Sequence, residues 1–165
     1  MATLMCVDSL PAAMTRVMAQ GTFDIIHPGH VYYLETSAEL GDELVVVIAR
    51  DSRVGSRKDL FMDEESRRLV VEALACVDEA VLGSEGDLFE SVERLRPDVI
   101  TLGYDQAFDP DELGDELAEA GFRDVEVVRI GRGPDEGVTS SSDVKARLKE
   151  QLGDAAFYSV VGEDR

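Results

Sequence analysis

Residues 17–30 read VMAQGTFDIIHPGH and decide the fold of this chain. The run Val17–Gln20 predicts a short β-strand, which Gly21 interrupts. A helix is predicted over Pro28–Leu40, because proline presets the backbone angle φ of a first turn and has no N–H to leave unpaired there. Gly41 is expected at the position that follows the helix end. The stretch therefore predicts a strand, a loop and a helix, which together begin a βαβ unit.

The same alternation of strand and helix patterns continues along the chain. Further strands are predicted at Leu44–Ala49, Glu79–Leu82, Val99–Leu102 and Val125–Ile130, and further helices at Glu64–Ala75, Leu88–Leu95, Pro110–Gly121 and Ser141–Leu152. Continuous apolar strands are typical of a parallel sheet that is buried on both faces. We therefore predict an α/β fold: a single Rossmann-like doubly wound domain with a five-stranded parallel sheet and helices on both faces. Ligands are expected beyond the carboxyl ends of the strands.

The alternation covers one domain over residues 14–153 and leaves two short segments outside it. Residues 1–13 have no place in the pattern, and Met14 stands directly before the first strand, which suggests a misassigned start codon. Residues 154–165 form a C-terminal tail whose apolar side chains are expected to dock on the core or on a second subunit.

Charge and composition exclude several classes of function. The 165 residues include 35 acidic and 16 basic ones, which gives a formal net charge of −19 at pH 7. Such a charge repels nucleic acids and anionic membranes, and we interpret it as adaptation to high salt, where counterions screen the acidic surface. Two cysteines without CxxC spacing indicate neither a disulfide framework nor a metal cluster. No apolar run approaches the ~18 residues of a membrane span and no signal peptide is visible, so we expect a cytoplasmic protein.

Both histidines of the chain, His27 and His30, stand in the segment between the first strand and the first helix. Imidazoles three residues apart at a helix start share one face, beside backbone N–H groups that attract anions. They can donate hydrogen bonds to phosphate oxygens as charge shifts during phosphoryl transfer. Gly29 lets a nucleotide approach the backbone. Two other interpretations stay open: an ordinary helix start, and a metal site for which spacing supplies no third ligand.

Three later positions carry polar residues suited to binding, each with a plainer alternative. Ser140, Ser141 and Ser142 offer hydroxyls and N–H groups to phosphates at the start of the last helix, or simply cap it. Lys58 follows the second strand and is either an anion-binding residue or a solvated loop lysine. Asp105 follows the fourth strand and either accepts hydrogen bonds from a ribose or base, or caps a turn.

Three more charged residues are not expected to bind a ligand. Asp24 lies inside the histidine segment and is expected to order that loop. Arg67 and Arg68 lie on the second helix and are expected mostly at the surface.

The segment GTFDIIHPGH of residues 21–30 resembles the HxGH motif of the nucleotidylyltransferase superfamily, in the form of its cytidylyltransferase-like branch. Over about residues 16–150 the chain resembles archaeal-type FAD synthases, through this motif and through Ala49–Asp51, Gly83–Phe89, Gly103–Gln106 and Ser140–Ser142. The resemblance implies that residues 14–153 are a nucleotidylyltransferase domain. It further implies an enzyme that transfers an adenylyl group from ATP to FMN, with FAD and pyrophosphate as products.

The resemblance also implies roles for single residues. The nucleotide-binding segment would comprise Thr22, the Phe23 backbone, His27, Pro28, Gly29 and His30, with both histidines on the transferring and leaving phosphates. Asp105 would hold the nucleotide, Ser140–Ser142 would bind the β- and γ-phosphates, and Lys58 would contact the phosphate of FMN. A divalent metal ion, Mg²⁺ in the simplest case, would enter with ATP. Relatives of this kind imply a homodimer.

Two other functions stay open. Glycerol-3-phosphate cytidylyltransferases carry RTEGIST before the last helix, whereas residues 134–140 read PDEGVTS here and lack the Arg-Thr pair. A non-catalytic nucleotide-sensing module is the alternative from another class. The intact His27 and His30 argue against it, because a sensor has little need of transition-state donors.

Overall fold

The fold is a five-stranded parallel sheet between two layers of helices, seen in a computed structural model that describes residues 14–54, 60–133 and 140–152. The strands of this part are β1 (Arg16–Gly21), β2 (Glu43–Ile48), β3 (Glu79–Leu82), β4 (Val99–Leu102) and β5 (Glu126–Arg129). Its helices are α1 (Pro28–Ala38), α2 (Asp51–Val54), α3 (Glu64–Glu72), α4 (Leu88–Leu95), α5 (Pro110–Glu119) and α6 (Ser141–Leu152). The predicted fold class is confirmed. None of these helices combines the length and the apolar character that a membrane span requires.

Alternating side chains of the strands feed two separate cores, one on each face of the sheet. In β1, Val17 and Ala19 pack with buried residues of α1 and α3, such as Leu34 and Val71. Met18 between them points to the opposite face and packs with residues of α4 and α5. The central strands β1, β2 and β4 are thus buried on both faces, which explains their continuous apolar runs, whereas the edge strands β3 and β5 are only partly buried.

The strand order β3-β2-β1-β4-β5 decides where a ligand can bind. The chain leaves β1 towards β2 and β3 on one side, and later returns to add β4 and β5 on the other side. Because the connections after β1 and β4 diverge, a crevice opens between them at the carboxyl ends of the strands.

Helix starts follow the sequence closely because their chemistry is local. Asp63, Asp87 and Asp109 are the N-caps of α3, α4 and α5, and each carboxylate accepts a hydrogen bond from the backbone N–H three residues later. Pro28 occupies the first turn of α1 as predicted. An aspartate oxygen at an N-cap satisfies a donor that the helix itself leaves unpaired.

Helix ends and one short helix differ from the prediction. Three helices end early, α1 at Ala38, α3 at Glu72 and α5 at Glu119. Gly41 is required by close packing instead of a left-handed turn, since a Cβ there would lie 2.6 Å from the Thr15 carbonyl oxygen. The unpredicted α2 is held by a reciprocal contact, in which the backbone N–H of Asp51 donates to Glu64 and the N–H of Glu64 donates to Asp51. These causes are tertiary, and local patterns do not contain them.

The expectation that Arg67 lies at the surface is wrong. Its side chain is 0% exposed, and its guanidinium donates hydrogen bonds to carbonyl groups and to Asp51. Arg68 is half-buried, with 22% of its side chain exposed, and pairs with Glu65 at 2.7 Å and Glu72 at 2.8 Å along the outside of α3.

Candidate active site

A cavity of about 490 Å³ opens where the strand order reverses, beside the ends of β1 and β4. Its walls come from the loop after β1 with the start of α1, from the loops after β4 and β5, and from the start of α6. The residues predicted for the site that line it are Thr22, Phe23, His27, Gly29, His30, Asp105, Ser140 and Ser141. Segments from opposite ends of the chain are thus brought to one place, as ligand binding at a switch point requires.

Of the other predicted residues, only Pro28 is fully described. Pro28 is exposed in the first turn of α1 and is not part of the cavity lining. Ser142 belongs to α6, and its side chain lies outside the described part of the chain, as does the whole of Lys58. The roles expected for Lys58 and Ser142 therefore stay predictions.

His27 is the N-cap of α1, a role that the sequence did not reveal. Its Nδ1 accepts a hydrogen bond from the backbone N–H of His30 at 3.3 Å. A ring nitrogen that accepts carries no proton, so the neutral ring holds its proton on Nε2. Burial lowers the pKa of His27, which is 9% exposed, against the opposing effect of the carboxylates of Asp143 and Asp105. At neutral pH His27 is therefore a neutral imidazole with one N–H donor left for a ligand.

The His30 ring stacks on the His27 ring, with centroids 3.7 Å apart and planes inclined by 23°. Phe23 meets His30 edge-on at 5.0 Å and stacks on Tyr33 at 6.4 Å. The two imidazoles share one face of the helix start, as their spacing predicts.

A buried polar cluster fixes the helix that carries these histidines. The hydroxyl of Tyr33 donates to the backbone carbonyl of Thr101 on β4 at 2.9 Å. The hydroxyl of Ser37 bonds to the Tyr33 carbonyl at 2.7 Å and lies 2.9 Å from the Thr101 hydroxyl. Buried networks whose members are all hydrogen-bonded hold one geometry strongly. Helix α1 is therefore held rigidly against β4, at the edge of the cavity.

The loop between β1 and α1 is held in an uncommon backbone conformation. Phe23 has a φ of 53°, in the left-handed region, and its ring folds back so closely that a Cβ on Gly21 would lie 2.7 Å from it. The carboxylate of Asp24 accepts the backbone N–H groups of Phe61 and Met62 at 2.9 and 3.0 Å. Asp24 thus has the loop-ordering role expected for it.

The loop after β4 is also fixed, and it presents Asp105 to the cavity. The side-chain amide of Gln106 donates to the backbone carbonyl of Gln20 at 2.8 Å, across the switch point. Arg129 donates to the carbonyls of Gly103 and Gln106 at 2.8 and 3.1 Å. The exposed carboxylate of Asp105 can accept hydrogen bonds from a ligand in the cavity.

The start of α6 combines a cap with a cation. The hydroxyl of Ser140 accepts the Asp143 N–H at 3.1 Å, and the Asp143 carboxylate accepts the Ser140 N–H at 2.9 Å. Ser140 therefore does cap the helix, and Ser141 beside it faces the cavity. Lys145 follows Ser141 by four residues and lines the cavity from the next turn.

Several lining residues were missed by sequence reasoning: Tyr33, Tyr104, Gln106, Arg132 and Lys145. Lys145 had a usable signal, because positions four apart lie on the same face of a helix. Arg132 had no such signal in the sequence. Its guanidinium lies 5.7 Å from the ring of Tyr104, which belongs to a different loop, and no local spacing predicts that contact. Within the described ranges, Arg132 and Lys145 are the arginine and lysine that line the cavity.

Comparison with known proteins identifies relatives of this chain. A family profile described as cytidylyltransferase-like matches residues 18–147. The chain is 51% identical to an FAD synthase of Ferroglobus placidus over 135 residues, which are 82% of this chain and 88% of the relative. It is 54% identical to an FAD synthase of Methanothrix thermoacetophila over 139 residues, which are 84% of this chain and 96% of the relative.

One solved structure shares both fold and sequence with the chain. It is described as the lipopolysaccharide core biosynthesis protein from Thermoplasma volcanium, and it is 49% identical with a TM-score of 0.71. The match covers 73% of this chain and 99% of that one.

Proposed function

The chain belongs to the cytidylyltransferase-like family, and we propose that it transfers an adenylyl group from ATP to FMN, giving FAD and pyrophosphate. The observation that carries this proposal is its identity of 51% and 54% to two archaeal FAD synthases, over 82% and 84% of the chain. The size and the lining of the cavity also support the proposed reaction. A volume of about 490 Å³ is in the range of small-molecule sites, and the lining combines two imidazoles with two cationic side chains.

The reaction needs no covalent intermediate with the protein. An oxygen of the FMN phosphate forms a bond to the α-phosphorus of ATP, and the bond from that phosphorus to the bridging oxygen of pyrophosphate breaks. Catalysis then rests on position and on donors aimed at the charge that develops. His27 suits this role because its neutral ring offers an Nε2–H, and stacked His30 supplies a second ring beside it.

The start of α6 suits the β- and γ-phosphates. Backbone N–H groups and the helix dipole favour anions at a helix N-terminus, and Ser141 lines the cavity at that point. Lys145 adds a positive charge from the following turn, and Arg132 adds another from the loop after β5. In a chain with a net charge of −19, cations gathered around one cavity favour an anionic substrate there.

The remaining site residues are assigned by their position in the sequence pattern. Thr22 and the Phe23 backbone place the nucleotide, and Asp105 holds its ribose or base. Lys58 contacts the phosphate of FMN. A homodimer and a cytoplasmic location stay predictions from the sequence.

A divalent ion, Mg²⁺ in the simplest case, would be held mainly by the phosphates of ATP. In the described ranges no group of three or more His, Cys, Asp or Glu residues could hold a metal ion by itself. Mg²⁺ keeps several of its waters and needs few protein ligands beside substrate phosphates. When bound, such an ion neutralises charge on the phosphates.

The test is a product analysis in multimolar KCl with Mg²⁺. The protein is offered ATP with FMN, or CTP with glycerol 3-phosphate, and the products are separated by chromatography. FAD with pyrophosphate is the expected result, and a His27→Asn, His30→Asn double variant prepared in parallel controls for contaminating activity. A CDP-alcohol would replace the proposal with the cytidylyltransferase alternative, whereas ATP binding without turnover would favour the nucleotide sensor.

A further inference from the structure

Arg67 is a charged residue that the reaction scheme does not yet use, although it lies directly behind the loop between β1 and α1. It is the largest of the fully buried side chains in the described part of the chain. A buried guanidinium is costly unless its donors are paired, so its partners indicate what it stabilises.

The guanidinium donates to four residues in three segments of the chain. Nη1 donates to the backbone carbonyl of Thr22 at 2.6 Å, and Nε donates to that of Met62 at 3.2 Å. Nη2 donates to the carbonyl of Ala49 at 2.9 Å and to the Asp51 carboxylate at 2.5 Å. The planar fork of an arginine suits this arrangement, because its N–H groups point in several fixed directions from three nitrogens.

The contact with Thr22 determines the direction of a neighbouring donor. The carbonyl of Thr22 and the N–H of Phe23 belong to one peptide group, and in a planar trans peptide these bonds point in opposite directions. Because Arg67 holds the carbonyl, the Phe23 N–H points away from α3. Thr22 and Phe23 both line the cavity, and Arg67 does not.

The Phe23 N–H is available to a ligand. Within residues 14–54, 60–133 and 140–152, the structure records no hydrogen bond from this N–H to another residue. Phe23 lines the cavity, so an acceptor bound there can pair with this backbone donor. The left-handed φ of 53° at Phe23 is a conformation that its surroundings must enforce, and Arg67 is one of the groups that enforce it.

We infer that Arg67 is a positioning residue, which holds the Thr22 carbonyl and thereby aims the Phe23 N–H at a phosphate oxygen of the nucleotide. The inference rests on the proposed function for the identity of that ligand. It assigns to Arg67 a role in the chemical step, although its guanidinium touches no substrate.

The first experiment uses amide NMR spectra of the full chain with and without ATP and Mg²⁺. In the wild type, ATP is expected to move the Phe23 amide proton downfield, as a new charge-assisted hydrogen bond does. In Arg67→Met this shift is expected to disappear. Arg67→Lys keeps a charge beside Asp51 but loses the fork, so it serves as the second variant if the methionine variant does not fold.

Two controls separate positioning from stability. Asp51→Asn removes the counter-charge but leaves the Thr22 contact, and Leu117→Ala destabilises the core on the opposite face of the sheet. Both are expected to lower the unfolding temperature and to keep the ATP-induced shift of Phe23. At a temperature where every variant is folded, Leu117→Ala is expected to keep the single-turnover rate within about twofold of the wild type, because Leu117 lies in the core on the opposite face of the sheet, remote from the donor.

The second experiment is that single-turnover rate of FAD formation in the arginine variants. Loss of a positioned oxyanion donor costs about 10²–10³-fold, so misdirection of one is expected to lower the rate at least about tenfold, with the KM for FMN nearly unchanged. An unchanged shift and rate in a folded Arg67 variant would overturn the inference. If the wild type makes no FAD while ATP still shifts Phe23 in an Arg67-dependent way, the proposed function fails and the positioning role stands.

Discussion

Replacement of His27 separates two roles that the structure gives to one side chain. Its Nδ1 caps helix α1 by accepting the His30 N–H, and its Nε2–H is left for a phosphate. His27→Asn and His27→Ala both remove the imidazole. Only asparagine retains a side-chain oxygen that can accept the same N–H, since it is among the best N-cap residues.

The cap and the donor affect different measured quantities, the free energy of unfolding and kcat. Alanine at an N-cap costs about 0.5–2 kcal/mol of folding free energy relative to asparagine, so the alanine variant should be the less stable of the two. Both variants lose the donor. If the donor stabilises the transition state, kcat falls by about 10²–10³-fold in each, which corresponds to about 2.7–4 kcal/mol.

The assay measures FAD formation from ATP and FMN at saturating substrate, with free energies of unfolding measured in the same buffer. Equal losses of kcat with unequal stabilities would support the transition-state role. The reasoning is refuted if His27→Asn keeps nearly full activity while His27→Ala loses it, because His27 would then be a cap and no more. His30→Asn, which leaves the cap acceptor in place, should lose kcat like the His27 variants.

Three further predictions concern pH, salt and the triphosphate. Burial lowers the pKa of His27 below the ordinary value of 6.5, so on acidification the unfolded chain takes up this proton before the folded protein does. The stability that the neutral ring contributes is therefore present above pH 6.5 and is lost as the pH falls towards the folded-state pKa. Unfolding free energies measured from about pH 8 to about pH 5 should therefore decline more in the wild type than in His27→Asn; parallel curves would contradict the assignment. The net charge of −19 predicts a higher unfolding midpoint in multimolar KCl than in ~0.1 M KCl, and equal midpoints would refute salt adaptation. Lys145→Ala should raise the KM for ATP about tenfold or more, as loss of a charged hydrogen bond does. Arg147→Ala, which removes an exposed charge from the same helix, should leave that KM nearly unchanged.

Much of the site was accessible from the sequence because its parts are local. Thr22, Phe23, His27 and His30 lie in one short segment, so their arrival at one cavity needed only the strand and helix on either side. The cap at Ser140 likewise depends on residues within one turn.

Contacts between segments that are far apart in the sequence could not be predicted from local patterns. Tyr33 and Ser37 reach Thr101 across the sheet, and Arg132 approaches Tyr104 from another loop. No spacing rule joins such residues, because the distance between them is set by strand order.

The sequence by itself determined the alternating elements, the aspartate caps and the histidine pair, since hydrophobic periodicity and capping act over one or two turns. Only the tertiary structure decided that Arg67 is buried and that burial lowers the pKa of His27. The physical reason is that the state of a charged group depends on the partners and the solvent around it, and folding brings those partners from remote parts of the chain. For Arg67 they are Thr22 and Ala49, which the packing of α3 against the sheet brings to its guanidinium.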